Sequence, residues 1–337
     1  MNVLGVCAGN GVMVYAMRKY LIANIENRAV FHSKHQEQWK ANFGDTPLYK
    51  AFPSLKFKDL DWIVGHPDCG HSSILSYSRK KSLGNPKENA SMDLYIDAVN
   101  TYSPKGFVME NLPKLKETLG NFEGIFPNYD LRLIEGSVTI FGNSQVNRKR
   151  LLIIGVRKNL RAAKVLKSFT LPKAGTYPIK TTGELFDDIL PWDSIKDGHV
   201  RESDDTIITI YAGRKMKVSD IQKFWLDRAD EGRWKVTDRN FTTAPGVYRN
   251  LLNKPPNTVR KGNREFNPNG LMMSPRERAI IQGLPDSFKI HIDENNLGYW
   301  INKGRTSVTK CPPYEISKWL NRQIKKVKKK GLLKKSN

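Results

Sequence analysis

The chain is 337 residues long, enough for about two domains of average size, and a composition of 39% hydrophobic and 26% charged residues excludes a globally disordered polypeptide. No apolar run reaches the roughly 20 residues that cross a bilayer, and the start, Met1-Asn2-Val3-Leu4-Gly5-Val6, lacks the basic leader of a signal peptide. Three cysteines, Cys7, Cys69 and Cys311, with no Cys-x-x-Cys pair, argue against a disulfide framework and a structural zinc site, so a soluble, cytoplasmic protein is expected.

The positive excess is only partly local. Lys+Arg 56 against Asp+Glu 33 gives a net charge of +23. Lys325, Lys326, Lys328, Lys329, Lys330, Lys334 and Lys335 form a terminal run with no acid among them, and +16 survives when those seven are set aside. A lysine tail alone is commonly a solvated terminus. An excess that persists without it points to a polyanionic partner, nucleic acid foremost, because each neutralised phosphate releases counterions.

In chain order, Val3-Leu4-Gly5-Val6 reads as a core strand running into the turn Gly9-Asn10-Gly11, with a helical stretch from Val12. Leu60-Asp61-Trp62-Ile63-Val64 is a second apolar run, closed by Gly65-His66-Pro67. Gly106-Phe107-Val108-Met109 is a third, closed by Glu110-Asn111, and Leu151 to Val156 is a fourth. Short apolar runs separated by helix-length segments predict an α/β domain with a largely parallel sheet. From about Arg157 to Asn267, prolines, glycines, aromatics and charges mix without long periodic stretches, with Trp192, Arg214, Trp225, Arg233 and Trp234 among them. A smaller, irregular domain with exposed basic and aromatic groups is expected there. Helical patterning returns at Ser274-Pro275-Arg276-Glu277-Arg278, with Ser274 as N-cap and Pro275 at the first helical position, and another helix is expected after Pro312-Pro313. No internal repeat is evident.

Four places carry residues suited to chemistry. The turn Cys7-Ala8-Gly9-Asn10-Gly11 is either an ordinary strand-to-helix turn or one whose glycines let a nucleotide-like ligand approach the backbone. Cys69 lies just past a strand end, where open α/β sheets place ligands. It reads as a buried free thiol, as an activated thiolate, or as the nucleophile of a thiol hydrolase with His66 or His71 as base. Glu110 is either a solvated loop acid or an acid in the same cleft as Cys69. Arg148 and Arg150 share a face if the fourth strand extends back to them, and then make a phosphate or base clamp; otherwise they are edge-strand charges.

Taken in order, these segments resemble the DNA (cytosine-5) methyltransferase family. The glycine turn resembles its Phe-Ala-Gly-x-Gly-Gly motif, Pro67-Asp68-Cys69 its Pro-Pro-Cys, and Glu110-Asn111-Leu112 its Glu-Asn-Val. Gln145 to Arg150 resembles Gln-x-Arg-x-Arg with one residue inserted, and the segment from Leu271 to Phe288, with Gln282-Gly283-Leu284-Pro285-Asp286, matches most closely. A sixth motif surrounds Cys311-Pro312-Pro313. The resemblance implies a Rossmann-like, S-adenosylmethionine-dependent methyltransferase fold with a smaller inserted target-recognition domain, acting on double-stranded DNA as a monomer, with base flipping and a place in DNA modification or restriction-modification. It divides the chain into a catalytic and cofactor-binding domain (1–157), a target-recognition domain (158–268), a return segment completing the catalytic domain (269–322) and a lysine-rich tail (323–337). The helix after Pro313 is expected to fold back onto the first domain beside the cofactor.

By the same resemblance, Cys69 adds to cytosine C6, turning the ring into an enamine that activates C5. Glu110 contacts N3 and the exocyclic amine, while Arg148 and Arg150 hold the base oxygen and adjoining backbone. The base must leave the duplex to be reached. The cofactor is expected against Cys7, Gly9, Asn10, Gly11 and Pro67, with Glu26 taking the ribose hydroxyls; the adenine-binding acid is not placed, and Asp45 is no more than a candidate for it. Several positions depart from the pattern: Cys7 for phenylalanine, Val12 for the last glycine, Gly70 for glutamine, and Val308-Thr309-Lys310-Cys311 where the family has Gly-Asn-Ala-Val. By the resemblance, Thr309, or Lys310 if the register slips by one, takes the place of the asparagine beside the methionine end of the cofactor, and Lys310 and Arg305 are candidates to put positive charge near that end, or face solvent or a DNA phosphate instead. This is drift, or a change to a cofactor with an extra carboxylate, carboxy-S-adenosylmethionine, transferring a carboxymethyl group. A catalytically inactive DNA-binding module and an RNA cytosine-5 methyltransferase are the remaining alternatives. The target sequence and any partner nuclease are not legible from the chain.

Overall fold

The structure is a computed structural model and describes residues 1–27, 33–50, 52–53, 57–68, 90–146, 148–186, 207–209, 215–220, 233–234, 247–249, 253–256, 258–259, 265–267, 273–291, 308–309 and 311–333. The chain divides into two compact units. One comprises Met1–Phe141, Lys149–Thr176 and Cys311–Asn337; the other comprises Gly142–Arg148 and Tyr177–Lys310.

The first unit is built on a seven-stranded sheet. Its strands are β1 (Val3–Val6), β2 (Leu21–Ile25), β3 (Leu48–Tyr49), β4 (Trp62–Gly65), β5 (Gly106–Asn111), β6 (Tyr129–Ser137) and β7 (Lys149–Arg157), in the order β3-β2-β1-β4-β5-β7-β6. β1 to β5 pair in parallel, and β7 runs antiparallel between β5 and β6. The order reverses between β1 and β4, where doubly wound sheets leave a crevice at the carboxyl ends of their strands.

Both faces of β1 and β4 are covered, which is why these strands read as continuous apolar runs rather than alternations. Leu4, Val6, Ile63, Phe107 and Met109 pack with Met92, Tyr95, Ala98 and Val99 of the helix Ala90–Tyr102. Trp62, offset by one residue from Ile63, faces the other way and meets Phe169 edge-on; Phe169 meets Trp319, which in turn meets Phe141. Burying an aromatic or aliphatic side chain of this kind contributes about 1.5–3 kcal/mol.

The C-terminal helix, Tyr314–Lys329, follows Pro312-Pro313 as expected and folds back onto the first unit. Ser317 Oγ donates to Met13 O (2.8 Å), Asn321 Nδ2 to Ala16 O (2.7 Å) and Trp319 Nε1 to Thr170 O (3.0 Å). Its apolar face, Ile316, Trp319, Leu320, Ile324 and Val327, is buried, so Lys325, Lys326, Lys328 and Lys329 belong to an amphipathic helix rather than to a separate tail. Among the described residues no helix is long and apolar enough to cross a membrane, and no cluster of potential metal ligands occurs.

Within the second unit, Ile207–Thr209 pairs antiparallel with Lys215–Lys217, and Arg233–Trp234, Val247–Arg249 and Glu265–Phe266 form a small sheet. Trp192, Arg214 and Trp225 lie outside the described residues. The helix Pro275–Ile281 starts where expected: Ser274 Oγ accepts from Glu277 N (3.2 Å) and Glu277 Oε2 accepts from Ser274 N (2.7 Å), with Pro275 in the first turn.

Candidate active site

Parallel strands bring the ends of β1, β2, β4 and β5 to one edge of the sheet, and β7, running the other way, begins there. The turn after β1 leaves the strand at Cys7, which adopts φ 52°, a left-handed conformation uncommon for a residue with a side chain. Cys7 N donates to Ile25 O (2.8 Å), and Cys7 O accepts from His66 N (3.3 Å), so the turn is tied to β2 and to the segment after β4. The Cys7 thiol is buried and donates to Ser91 O (3.3 Å). Burial, followed by the charges of Glu26 and Asp68, pushes its pKa well above the ordinary thiol value. Cys7 is therefore a neutral packing group.

The two glycines of the turn differ. A Cβ on Gly11 (φ 83°) would lie 2.2 Å from the Phe43 ring, so this glycine is required by the packing of the helix Ser33–Phe43. Among the described residues, a Cβ on Gly9 (φ 58°) would meet no atom within 4 Å. Gly9 N donates to Glu26 Oε2 (2.9 Å), whose carboxylate also accepts from Asn24 Nδ2 (3.4 Å) and, through Oε1, from Asn27 N (3.3 Å). Burial raises the Glu26 pKa, against the lowering effect of those hydrogen bonds and of His66. Asn10 is buried beside this arrangement in the chain. The helix Val12–Tyr15 is a single turn. Asp45 is exposed and precedes β3, which places it at the opposite edge of the sheet from Gly9 and Glu26.

The segment His66-Pro67-Asp68, leading into Cys69, is pinned along its length. Besides His66 N on Cys7 O, Pro67 O accepts from Asn111 Nδ2 (3.0 Å), and Asp68 N donates to Ser91 Oγ (2.8 Å). Cys69, Gly70 and His71 lie outside the described residues, as do Arg305 and Lys310.

Glu110, fully buried at the end of β5, carries the densest electrostatics of this edge. One carboxylate oxygen, Oε2, is ion-paired with His66 Nδ1; the other, Oε1, lies 2.8 Å from Arg150 Nε. Register explains the second pair. Glu110 lies opposite Leu152 on β7, and Arg150, two residues before it, shares that face. His66 Nδ1 is also 3.4 Å from Glu110 O. Burial would lower the His66 pKa, and Arg150 lowers it further; the Glu110 carboxylate outweighs both and raises it above the ordinary imidazole value.

Arg148 lies one residue before β7 and belongs to the second unit. There its buried Nη1 donates to Gln145 Oε1 (2.8 Å) and Gln282 Oε1 (3.1 Å). Gln145 Nε2 donates to Asn143 Oδ1 and Gln282 Oε1 (both 2.9 Å), and Gln145 Oε1 accepts from Val259 N (2.9 Å). Gln282 Nε2 donates to Val308 O (2.9 Å), and Arg278 Nη1 to Thr309 Oγ1 (3.3 Å). Three separated motifs thus meet in one buried polar network, in which Thr309 is a participant.

The structure brings together Glu110, Arg150 and the residues before Cys69, and separately Gly9 with Glu26. Three residues that assemble the edge are not among the site residues expected from the sequence. Asn111 and Ser91 act through backbone bonds to Pro67 and Asp68, and the signal for Asn111 is its place beside Glu110 at a strand end. His66 reads in the sequence only as a candidate base for a neighbouring thiol.

A family model described as C-5 cytosine-specific DNA methylase matches residues 1–301. No curated protein matches the chain. Among solved structures, a candidate DNA modification methyltransferase encoded within an E. coli prophage is 17% identical, covers 98% of this chain and 99% of its own, and superposes with a TM-score of 0.64. The Dnmt2 methyltransferase of S. pombe is 12% identical over 97% and 98% of the two chains, with a TM-score of 0.59. The Entamoeba histolytica methyltransferase EhMeth is 13% identical over 96% and 97%, with a TM-score of 0.56. These three similarities concern the fold.

Proposed function

The chain belongs to the C-5 cytosine-specific DNA methylase family, and on that premise we propose that it transfers a methyl group from S-adenosylmethionine to C5 of a cytosine flipped out of duplex DNA, through a covalent bond between Cys69 and C6. The observation that carries the reading is Glu110, a buried carboxylate held at the crevice edge by a histidine and an arginine, beside a segment fastened at three points immediately before the cysteine.

Cytosine C5 is too weak a nucleophile to accept a methyl group unaided. When the Cys69 thiolate bonds to C6, the C5=C6 pair moves to C4=C5, and charge accumulates at N3. Glu110 is the group to meet N3 and the exocyclic amine, and Arg150 keeps the carboxylate facing the base. Arg150 is also assigned to the base oxygen; Arg148 is assigned to shaping the Gln145–Gln282 network. The pins on Pro67 and Asp68 fasten the backbone that leads into Cys69, and a fastened approach converts binding into orientation.

The residues of the β1 turn fit the cofactor. Gly9, whose positive φ suits a residue without a side chain, lets a ligand approach the backbone, and Glu26 offers a buried carboxylate to ribose hydroxyls. Asn10, Gly11 and Pro67 follow the same strand ends. When bound, the cofactor supplies an electrophilic methyl group on a sulfonium.

The test is to incubate the chain with duplex DNA or structured RNA and either S-adenosylmethionine or its carboxylated form, then identify the product nucleoside by mass. Duplex-dependent 5-methylcytosine supports the proposal. Modification of RNA alone, a carboxymethyl product, or no product with either donor contradicts it.

A further inference from the structure

Glu110 presents a chemical difficulty for the role just proposed. An acid that gives N3 a proton must be resupplied with one, and this carboxylate meets a histidine through one oxygen and an arginine through the other. Of those two groups only one is able to part with a proton, since a guanidinium stays protonated throughout the working range. His66 Nδ1 touches Oε2 directly, and 12% of its side chain remains exposed, giving the imidazole a route to exchange with solvent.

We propose, resting on the methyltransfer reading, that His66 is the proton reservoir of Glu110: a positioning residue that supplies, through Glu110 Oε2, the proton taken up by cytosine N3 as the Cys69–C6 bond forms. The step balances without a further reactant. The sulfur–C6 bond forms, C5=C6 gives C4=C5, and the C4=N3 pair becomes a lone pair on N3. N3 takes a proton from Glu110, and Glu110 takes one from His66 Nδ1, leaving the imidazole neutral with its remaining proton on Nε2. As C5 takes the methyl group, C4=N3 re-forms and N3 returns its proton through Glu110 to His66; the C5 proton then leaves to solvent, C5=C6 re-forms and the C6–S bond breaks to release the thiolate.

The surroundings favour this traffic. Glu110 on β5 faces His66 and holds its charge, Arg150 on β7 and burial oppose it, and Glu26 after β2 feels the His66 charge across the cofactor end. Asp68 lies on the same segment as His66, and Cys7, whose carbonyl accepts from His66 N, is neutral. His66 thereby stands between the acid assigned to the base and the acid assigned to the cofactor.

The pH dependence follows from the sign. The proton is available below the raised His66 pKa and is lost as pH climbs through it, so kcat should fall on the alkaline side. His66→Gln should lower kcat about 10²-fold, leave the duplex KM within about twofold and flatten that limb. His66→Gly should recover activity with added imidazole, in proportion to imidazolium. Independently of turnover, the histidine carbon NMR signal of His66 should titrate at lower pH in Glu110→Gln than in the wild-type chain. Wild-type kcat and an unchanged limb in His66→Gln overturn this inference, as does a His66 titration indifferent to Glu110→Gln. A wild-type chain that leaves duplex cytosine unmodified overturns both this inference and the methyltransfer reading, whereas an active enzyme indifferent to His66 overturns this one alone.

Discussion

Arg148 and Arg150 stand two residues apart, yet each solves the burial of a cation differently. Arg150 meets a carboxylate, which also meets a histidine, so its environment is charged and titratable. Arg148 meets two amide oxygens in the second unit, and those amides in turn bond a third amide and backbone groups. Neutral acceptors satisfy a guanidinium without changing with pH. The contrast teaches that the same residue type serves a charged, titratable edge in one unit and a fixed polar scaffold in the other. What separates them is whether the partner titrates.

The largest effect should come from the partner itself. Glu110→Gln keeps the side chain's shape and removes its charge and its proton, and methyl transfer should fall about 10³-fold. Turnover of labelled donor on duplex DNA measures it; near-wild-type turnover would place the reactive edge elsewhere.

The two arginines should then separate by readout. Arg150 opposes the charge on His66, so Arg150→Met should raise the His66 pKa further and move the alkaline limb to higher pH. Arg148→Met should leave the limb in place and lower stability by about 1–3 kcal/mol, the cost of disturbing a buried polar network. Both follow from pH–rate profiles and urea unfolding. The His66 pair also has a stability signature: its contribution is present below the unfolded-state pKa of histidine and is lost as pH rises through the raised folded value.

How much of this was legible in the chain depends on the distance over which each feature is decided. The Ser274 cap is settled by four consecutive residues, and β1, β4 and β5 announce themselves because strands covered on both faces are apolar throughout. β6 was missed because it is an edge strand, where Glu135 and Arg132 alternate with apolar positions and the run never becomes hydrophobic. The chemistry proposed for Cys69 and Glu110 rests on motif order. The partnership of His66 with Glu110 joins residues 44 apart, and that of Gln145 with Gln282 joins residues 137 apart. Neither spacing has a local signature, since each depends on sheet register or on packing between distant segments.

The smallest expected effect concerns the opposite end of β4. Asp61 accepts from Lys105 Nζ (2.7 Å) and Asn2 N (3.0 Å) and lies 3.6 Å from the amino terminus. Burial opposes the shift, but those partners hold its pKa below the ordinary carboxylate value. Asp61→Asn should cost about 0.2–1 kcal/mol at neutral pH, and the difference should vanish as pH falls through the lowered value. Thermal unfolding of both proteins at neutral and acidic pH measures the gap; a gap that persists in acid would remove the charge from the explanation.

The central claim is that a reactive edge delivers Cys69 to a flipped cytosine, and trapping tests it most directly. Duplex DNA carrying 5-fluorocytosine has no C5 proton to lose, so the Cys69–C6 bond should persist once the methyl group has been transferred. Mass spectrometry of the wild-type chain with this duplex and S-adenosylmethionine should find an adduct on the peptide containing Cys69, absent from Cys69→Ala, which should still bind the duplex. An adduct that survives in Cys69→Ala, or an active wild-type enzyme that forms none, would contradict the account.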